Sequence, residues 1–297
     1  MAAHRYLGAA WASVHGPSDP ARLLRWLCDQ RFRGLVPGPA PRPIDWARIR
    51  ELASDFPVSF PAVRVASVLS ERSPTAGLAS TAVTERDAAL RAVAQAAALA
   101  DRVGTRLIVV EPGIVPLLGD VPAEDLGDPA VQWSRESAQP LLARRKASLE
   151  GALDRVCRAL FELCKSHPEK RFCLTAGRSL RAVASPATLA WIYEDLAAQG
   201  LGYWHDAALV ARREEVVGEA QGEWLEAFSS RCVGCTLGDS RADGLYLPPG
   251  SGGVDYPLVT SYLRRGAKAV AMCLELDPAV TASELPGMLA CLDKFGL

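Results

Sequence analysis

Three apolar runs in this chain end on a carboxylate: TRLIVVEPG on Glu111, GLGYWHD on Asp206 and AKAVAMCLELD on Glu275. A carboxylate buried without a partner costs several kcal/mol, so its placement at the end of a hydrophobic run needs a reason. Ligation of a divalent cation is one such use, and proton transfer to or from a bound molecule is another. Taken singly, each carboxylate could equally cap the next helix or pair with an arginine; the three together favour chemistry. Four further residues stand near the same ends. His15 is placed to act as a base, and Trp11 to form an apolar wall. Arg178 and Arg241 carry guanidinium groups suited to gripping a phosphate or carboxylate. The chain has only four histidines, His4, His15, His167 and His205. The last adjoins Asp206, so on a regular strand it faces the other way, toward the helices.

Eight short β-rich runs alternate with helical patterns and must position these residues. They are RYLGAAWASV (5–14), FRGLVPG (32–38), VSFPAVRVAS (58–67), TRLIVVEPG (105–113), RFCLTAG, GLGYWHD, RCVGCTLGD and AKAVAMCLELD. The last four start at Arg171, Gly200, Arg231 and Ala267, a regular recurrence of strand plus helix. Near-continuous apolar runs mark strands buried on both faces, hence a parallel sheet. Eight such units in a chain of this length predict one (β/α)8 barrel over 1–297, with its active face at the carboxyl ends of the strands. No G-x-G-x-x-G follows the first run, which argues against a dinucleotide-binding open sheet. Asp45 and Asp255 are expected to cap helices. LLARRKASLEGALDRVCRALFELCKSH reads as one long helix, and the Gly-, Pro- and Asp-rich stretch 114–134 as a loop long enough to form a lid.

Composition narrows the function classes. With 33 basic and 34 acidic residues the net charge is -1, too balanced for a nucleic-acid surface. The run Arg144, Arg145, Lys146 reads as a solvated helix face. No stretch reaches the length of a membrane span, and no secretory signal precedes the first strand, so the expected location is the cytoplasm. The eight cysteines are scattered, and Cys232 and Cys235 read as small buried thiols rather than a redox or zinc pair.

Over nearly its whole length, and most strongly from about Arg171 onward, the sequence resembles the xylose isomerase-like, or sugar phosphate isomerase/epimerase, TIM barrels. The motifs are GLGYWHDAALVA, CTLGDSRADGLYLPPGSGGVDY and KAVAMCLEL, with LYLPPGSGGVDY the most specific. The resemblance implies a divalent metal held by residues at the ends of strands five to eight. Here Asp206 and Glu275 keep ligating side chains, whereas Ala176 (or Gly177, depending on the strand's register) and Thr236 replace a glutamate and a histidine, and Leu209 replaces a nearby histidine. It therefore implies a degenerate metal site with no cofactor, any residual ion being Mn2+, Co2+ or Mg2+ on Asp206 and Glu275. The implied activity is isomerisation or epimerisation of a sugar-like or anionic hydroxy-carbonyl compound, with Glu111 and Glu275 as acid and base and Asp206 orienting one of them. The alternative is a lapsed barrel that binds a metabolite or protein partner without metal. Too few histidines exist for the related trinuclear-zinc DNA-repair endonucleases.

Overall fold

In a computed structural model, which describes residues 4–65, 77–117, 124–265 and 270–297, all eight expected runs contribute strands. They are β1 (Arg5–Gly8), β2 (Leu35–Val36), β3 (Val63–Arg64), β4 (Leu107–Val110), β5 (Arg171–Leu174), β6 (Gly202–Asp206), β7 (Cys232–Leu237) and β8 (Ala271–Leu274). Every pairing between them is parallel, in the order β2-β1-β8-β7-β6-β5-β4-β3. The ring closes between its two shortest strands, through a bridge from Gly34 to Ser59 and the Arg64 N–H to Pro37 carbonyl bond of 2.8 Å. Helices surround the ring, so the chain is a single-domain (β/α)8 barrel.

Period two decides what each strand sends inward. Val36, Ala62, Val109, Cys173, Trp204 and Cys273 fill the lumen as a small apolar cluster, separate from the larger one between strands and helices. The Trp204 ring lies over Gly234 on β7; a Cβ there would stand 2.1 Å from the ring, so only glycine leaves room for the plug. Asp206, two residues beyond Trp204 on β6, shares its face and reaches the carboxyl end of the lumen. Asp45 and Asp255 cap helices as expected, accepting from Arg48 N at 3.0 Å and Leu258 N at 2.9 Å.

Two expected elements differ. The first strand stops at Gly8, and Ala9–His15 is helical, with Ala9, Trp11 and Ala12 buried and alanines of high helix propensity at three of its first four positions. The long helix is two, Arg135–Ala147 and Leu149–Ser166, broken where Ser148 leaves helical geometry (φ −110°, ψ 5°). Of the third expected run, Ala66 and Ser67 lie outside the described residues. All eight cysteines are free, and Cys232 and Cys235 are buried.

His205 faces outward and is fully buried, with Nδ1 2.9 Å from the Tyr203 hydroxyl and no partner for Nε2 among the described residues. Burial pushes its pKa down to about 3, so the folded protein keeps it neutral. In the unfolded chain it protonates below about pH 6.5. Titration of His205 therefore leaves stability unchanged above that pH and lowers it as the pH falls toward 3, by about 1.4 kcal/mol per unit. Urea unfolding of wild type and His205→Gln at descending pH checks this: the stability difference should shift steadily in favour of the variant below pH ~6.5. A constant difference would refute it.

Candidate active site

The carboxyl ends of the strands converge on one side chain that the sequence reading left out. Arg64, the last residue of β3, projects into the mouth of the lumen and meets three strand ends at once. Its Nη1 donates to Thr236 Oγ1 and Glu275 Oε2, and its Nη2 to Asp206 Oδ2, each at 3.3 Å. The guanidinium is thus shared among three acceptors without closing tightly on any one. Asp206 is fully engaged besides: Oδ1 accepts the Leu209 N–H at 3.1 Å, capping the helix Ala207–Val216, and Oδ2 accepts the Tyr246 hydroxyl at 3.0 Å. Trp204 Nε1 donates to Thr236 Oγ1 at 2.9 Å, linking the plug to the cluster.

Electrostatics follow from this geometry. Burial works against charge on Arg64, but Tyr246, Glu275 and Asp206 outweigh it and hold its pKa above the usual arginine value. Burial pushes the Glu275 carboxyl up; Arg64 pulls it down, Asp206 repels its charge, and the net direction is upward. Tyr246 is pushed up chiefly by burial and then by Asp206, so it stays a phenol and a donor. Its backbone is in the left-handed region at φ 59°, unusual for a bulky residue. That conformation belongs to the hairpin of Asp239–Arg241 and Gly244–Leu247 after β7, whose Tyr246 carbonyl also accepts the Asp277 N–H at 2.9 Å. Strain of this kind at a site residue persists only where the surroundings enforce it.

Glycine makes room for the acid. A Cβ on Gly8 of β1 would lie 2.3 to 2.5 Å from the Glu275 carboxyl group. Gly8→Ala is therefore expected to displace Glu275 from Arg64 and to lower stability by about 1–3 kcal/mol. Thermal melting measures the second effect. An unchanged melting temperature would mean that the Glu275 side chain moves aside freely.

A cleft of about 210 Å3 opens onto the cluster, and Arg64, Glu111, Arg178, Tyr246 and Glu275 all line it. Four of the residues expected at the site thus meet here: Glu111, Glu275 and Arg178 on the cleft wall, and Asp206 behind Arg64. Arg178 is held by Asp125, to which Nε and Nη2 donate at 3.2 and 2.8 Å. The other three lie elsewhere. Trp11 is completely buried, its indole N–H donating to the Val280 carbonyl at 2.8 Å. His15 ends the helix Ala9–His15, its ring tilted against that of Trp11 with Nε2 2.8 Å from the Pro278 carbonyl oxygen. Arg241 is exposed on the hairpin and pairs with Asp243 at 3.1 Å. A larger recess, about 720 Å3, lies away from the carboxylates and is lined by Arg5, Arg31, Arg33, Arg264 and the last residue, Leu297.

Buried arginines fix the loops around the cleft. Both described limbs of the expected lid, 114–117 and 124–134, are tied to the loop after β5; residues 118–123 lie outside the described residues. Val115 N donates to Arg181 O at 2.8 Å, Leu126 N to Arg178 O at 3.0 Å, and Arg181 forms a buried ion pair with Glu124. Arg212 reaches the Leu126 and Trp133 carbonyls at 3.3 and 3.0 Å, and Arg213 those of Gly177 and Ser179 at 3.1 and 3.3 Å. Within the basic run read as a solvated face, Arg145 turns inward and donates to the Ala182 carbonyl at 2.8 Å, and burial pulls its pKa down to about 10. Across the cleft, Asp239 organises the PPGSGG loop, accepting from Gly250 N at 2.9 Å and Val254 N at 3.0 Å.

These residues do not fit a divalent ion. Among the described residues no three His, Cys, Asp or Glu side chains converge. Ala176 offers no ligand atom, Thr236 Oγ1 already accepts from Trp204 and Arg64, and a guanidinium stands between Asp206 and Glu275.

No family model and no curated protein matches the sequence. Solved structures do match over the whole barrel. A D-tagatose 3-epimerase-like protein is 15% identical with a TM-score of 0.68, covering 99% of this chain and 97% of that one. The 3-keto-D-glucoside 4-epimerase of E. coli is 12% identical with a TM-score of 0.69, covering 98% and 99%. A family 2 AP endonuclease from Brucella melitensis, 13% identical and covering 98% of each chain, scores 0.61. At these identities the likeness is one of fold, and the fold is the one the sequence motifs suggested.

Proposed function

We propose that the cleft binds a small sugar-like hydroxy-carbonyl compound and moves a proton at the carbon beside its carbonyl, as an isomerase or epimerase does. The observation that carries this reading is that Glu111 and Glu275 line one cleft from β4 and β8, strands that lie four places apart in the ring of eight. Two carboxyl groups on opposite sides of a bound carbon suit removal of a proton from one face and its return to the other. Burial raises the pKa of Glu275, which suits it to the role of acid, and Glu111 takes the role of base. After one turnover Glu111 holds a proton and Glu275 lacks one, and exchange with solvent restores both. Arg64 faces the oxygen that gains charge when the carbon loses its proton, and the Tyr246 hydroxyl stands beside it.

Charge favours an uncharged sugar over a phosphorylated one. Arg178 is paired with Asp125 and the charge of Arg64 is shared between Asp206 and Glu275, leaving neither guanidinium free to balance a phosphate, while Glu111 and Asp277 add further carboxyl groups to the wall. A second reading, a barrel that binds such a compound without converting it, draws on the full engagement of Asp206 by three donors. Incubation with ketoses and keto-glycosides in D2O separates the two. Deuterium appearing at the carbon beside the carbonyl supports proton transfer. Saturable binding with no deuterium uptake supports the binder.

A further inference from the structure

We infer that Arg64 is the resident cation of this barrel: its guanidinium takes the place among Asp206, Thr236 and Glu275 that a bound divalent ion would occupy, so the site is complete without one. The inference concerns the cation alone and holds whichever reaction the cleft performs. Three independent features carry it. First, the arginine contacts the ends of β6, β7 and β8 together, at equal 3.3 Å separations, as a central ion would. Second, the surrounding groups are set as acceptors for a donor cation. Thr236 Oγ1 receives both Trp204 and Arg64, and Asp206 receives Leu209 N–H, Tyr246 and Arg64, so while the guanidinium is in place both lone pairs of the hydroxyl and most of those on the carboxylate are taken. Third, Glu275 is lodged against Gly8 with its carboxyl aimed at Arg64, a placement that a larger residue at position 8 would forbid.

The chemical consequence is specific. A guanidinium carries a single, permanent charge spread over a planar fork and offers N–H donors, whereas a divalent ion accepts lone pairs and lowers the pKa of bound water. A site built on Arg64 can orient and partly neutralise an oxyanion, and it supplies no metal-activated hydroxide. Its function should therefore withstand chelators.

Mn2+ titration followed by the electron paramagnetic resonance of the free ion tests the inference on the full chain. Wild type is expected to take up no Mn2+ saturably. Arg64→Ala should bind one ion through Asp206 and Glu275, and adding Thr236→His should tighten binding by about tenfold or more, since imidazole is a far better ligand than a threonine hydroxyl. Where Arg64→Ala folds only with metal, recovery of its circular dichroism on refolding in Mn2+ is the supporting result. Saturable uptake by wild type that Asp206→Asn abolishes would overturn the inference. So would folded Arg64 variants that bind no ion, and so would failure of Arg64→Ala to refold with Mn2+ present.

Discussion

Replacing Arg64 with methionine is expected to lower stability by about 3–5 kcal/mol, the usual cost of removing one partner from a buried ion cluster. For a chain of this size that corresponds to a fall in melting temperature of about 5–10 °C. Methionine keeps much of the aliphatic length, so the loss arises where the charge was. Asp206 is 1% exposed and Glu275 only slightly more, and without Arg64, at a pH above the raised pKa of Glu275, two charged carboxylates face each other across the mouth of the lumen with no cation between them. The double variant Arg64→Met/Asp206→Asn separates charge from packing. If repulsion between the two carboxylates dominates, the amide should restore more than half of the lost stability in urea unfolding. Equal losses in both backgrounds would mean that Arg64 contributes mainly by filling space.

Glu111→Gln and Glu275→Gln should each slow deuterium uptake into a responsive substrate by about 10²–10⁴-fold, the range for removal of a general acid or base. The two variants should differ in pH dependence. A protonated Glu275 is the working form, so the wild-type rate falls as the pH rises through its elevated pKa. Glu275→Gln abolishes that limb, and Glu111→Gln leaves it in place on a lower rate. The glutamine at 275 keeps an oxygen for Arg64 to donate to, so the cluster geometry survives the substitution. Equal rates in wild type and Glu111→Gln would remove Glu111 from the mechanism and leave Glu275 to be paired with another base.

The barrel was legible because its strands are buried on both faces, and such strands write themselves as apolar runs whatever their neighbours. Glu111, Asp206 and Glu275 stood out for the same reason, as charges where the pattern called for none. Arg64 carried an equal signal. It sits two residues after the lumen-filling Ala62 in PAVRVAS, so period two points it inward, and an inward arginine at a strand end needs acceptors. Other features had no local signal. The helix at Ala9–His15 arises because Trp11 finds cover beneath Val280, 269 residues away, and the same packing removes Trp11 from the cleft. The Tyr246 contact depends on a hairpin that bends a bulky residue to positive φ, which the sequence LYLPPG does not announce. The commitment of Arg178 to Asp125 across 53 positions is likewise a property of the folded loops.

The closure of the ring has a bearing on how the site responds to a ligand. Strands β2 and β3 have two residues each, and the seam between them is spanned by Ser59 N–H to Arg33 O at 2.7 Å and Arg64 N–H to Pro37 O at 2.8 Å. One residue thus serves twice: the backbone of Arg64 fastens the seam, and its side chain balances the carboxylates in the lumen. Parting of the seam would withdraw the cation from Asp206 and Glu275, so the negative charge left uncompensated there favours reclosure and the attraction for Arg64 resists opening. A molecule held by the guanidinium would then act as a clasp on the barrel wall, slowing amide exchange at Ser59 and Arg64 although neither backbone group touches it.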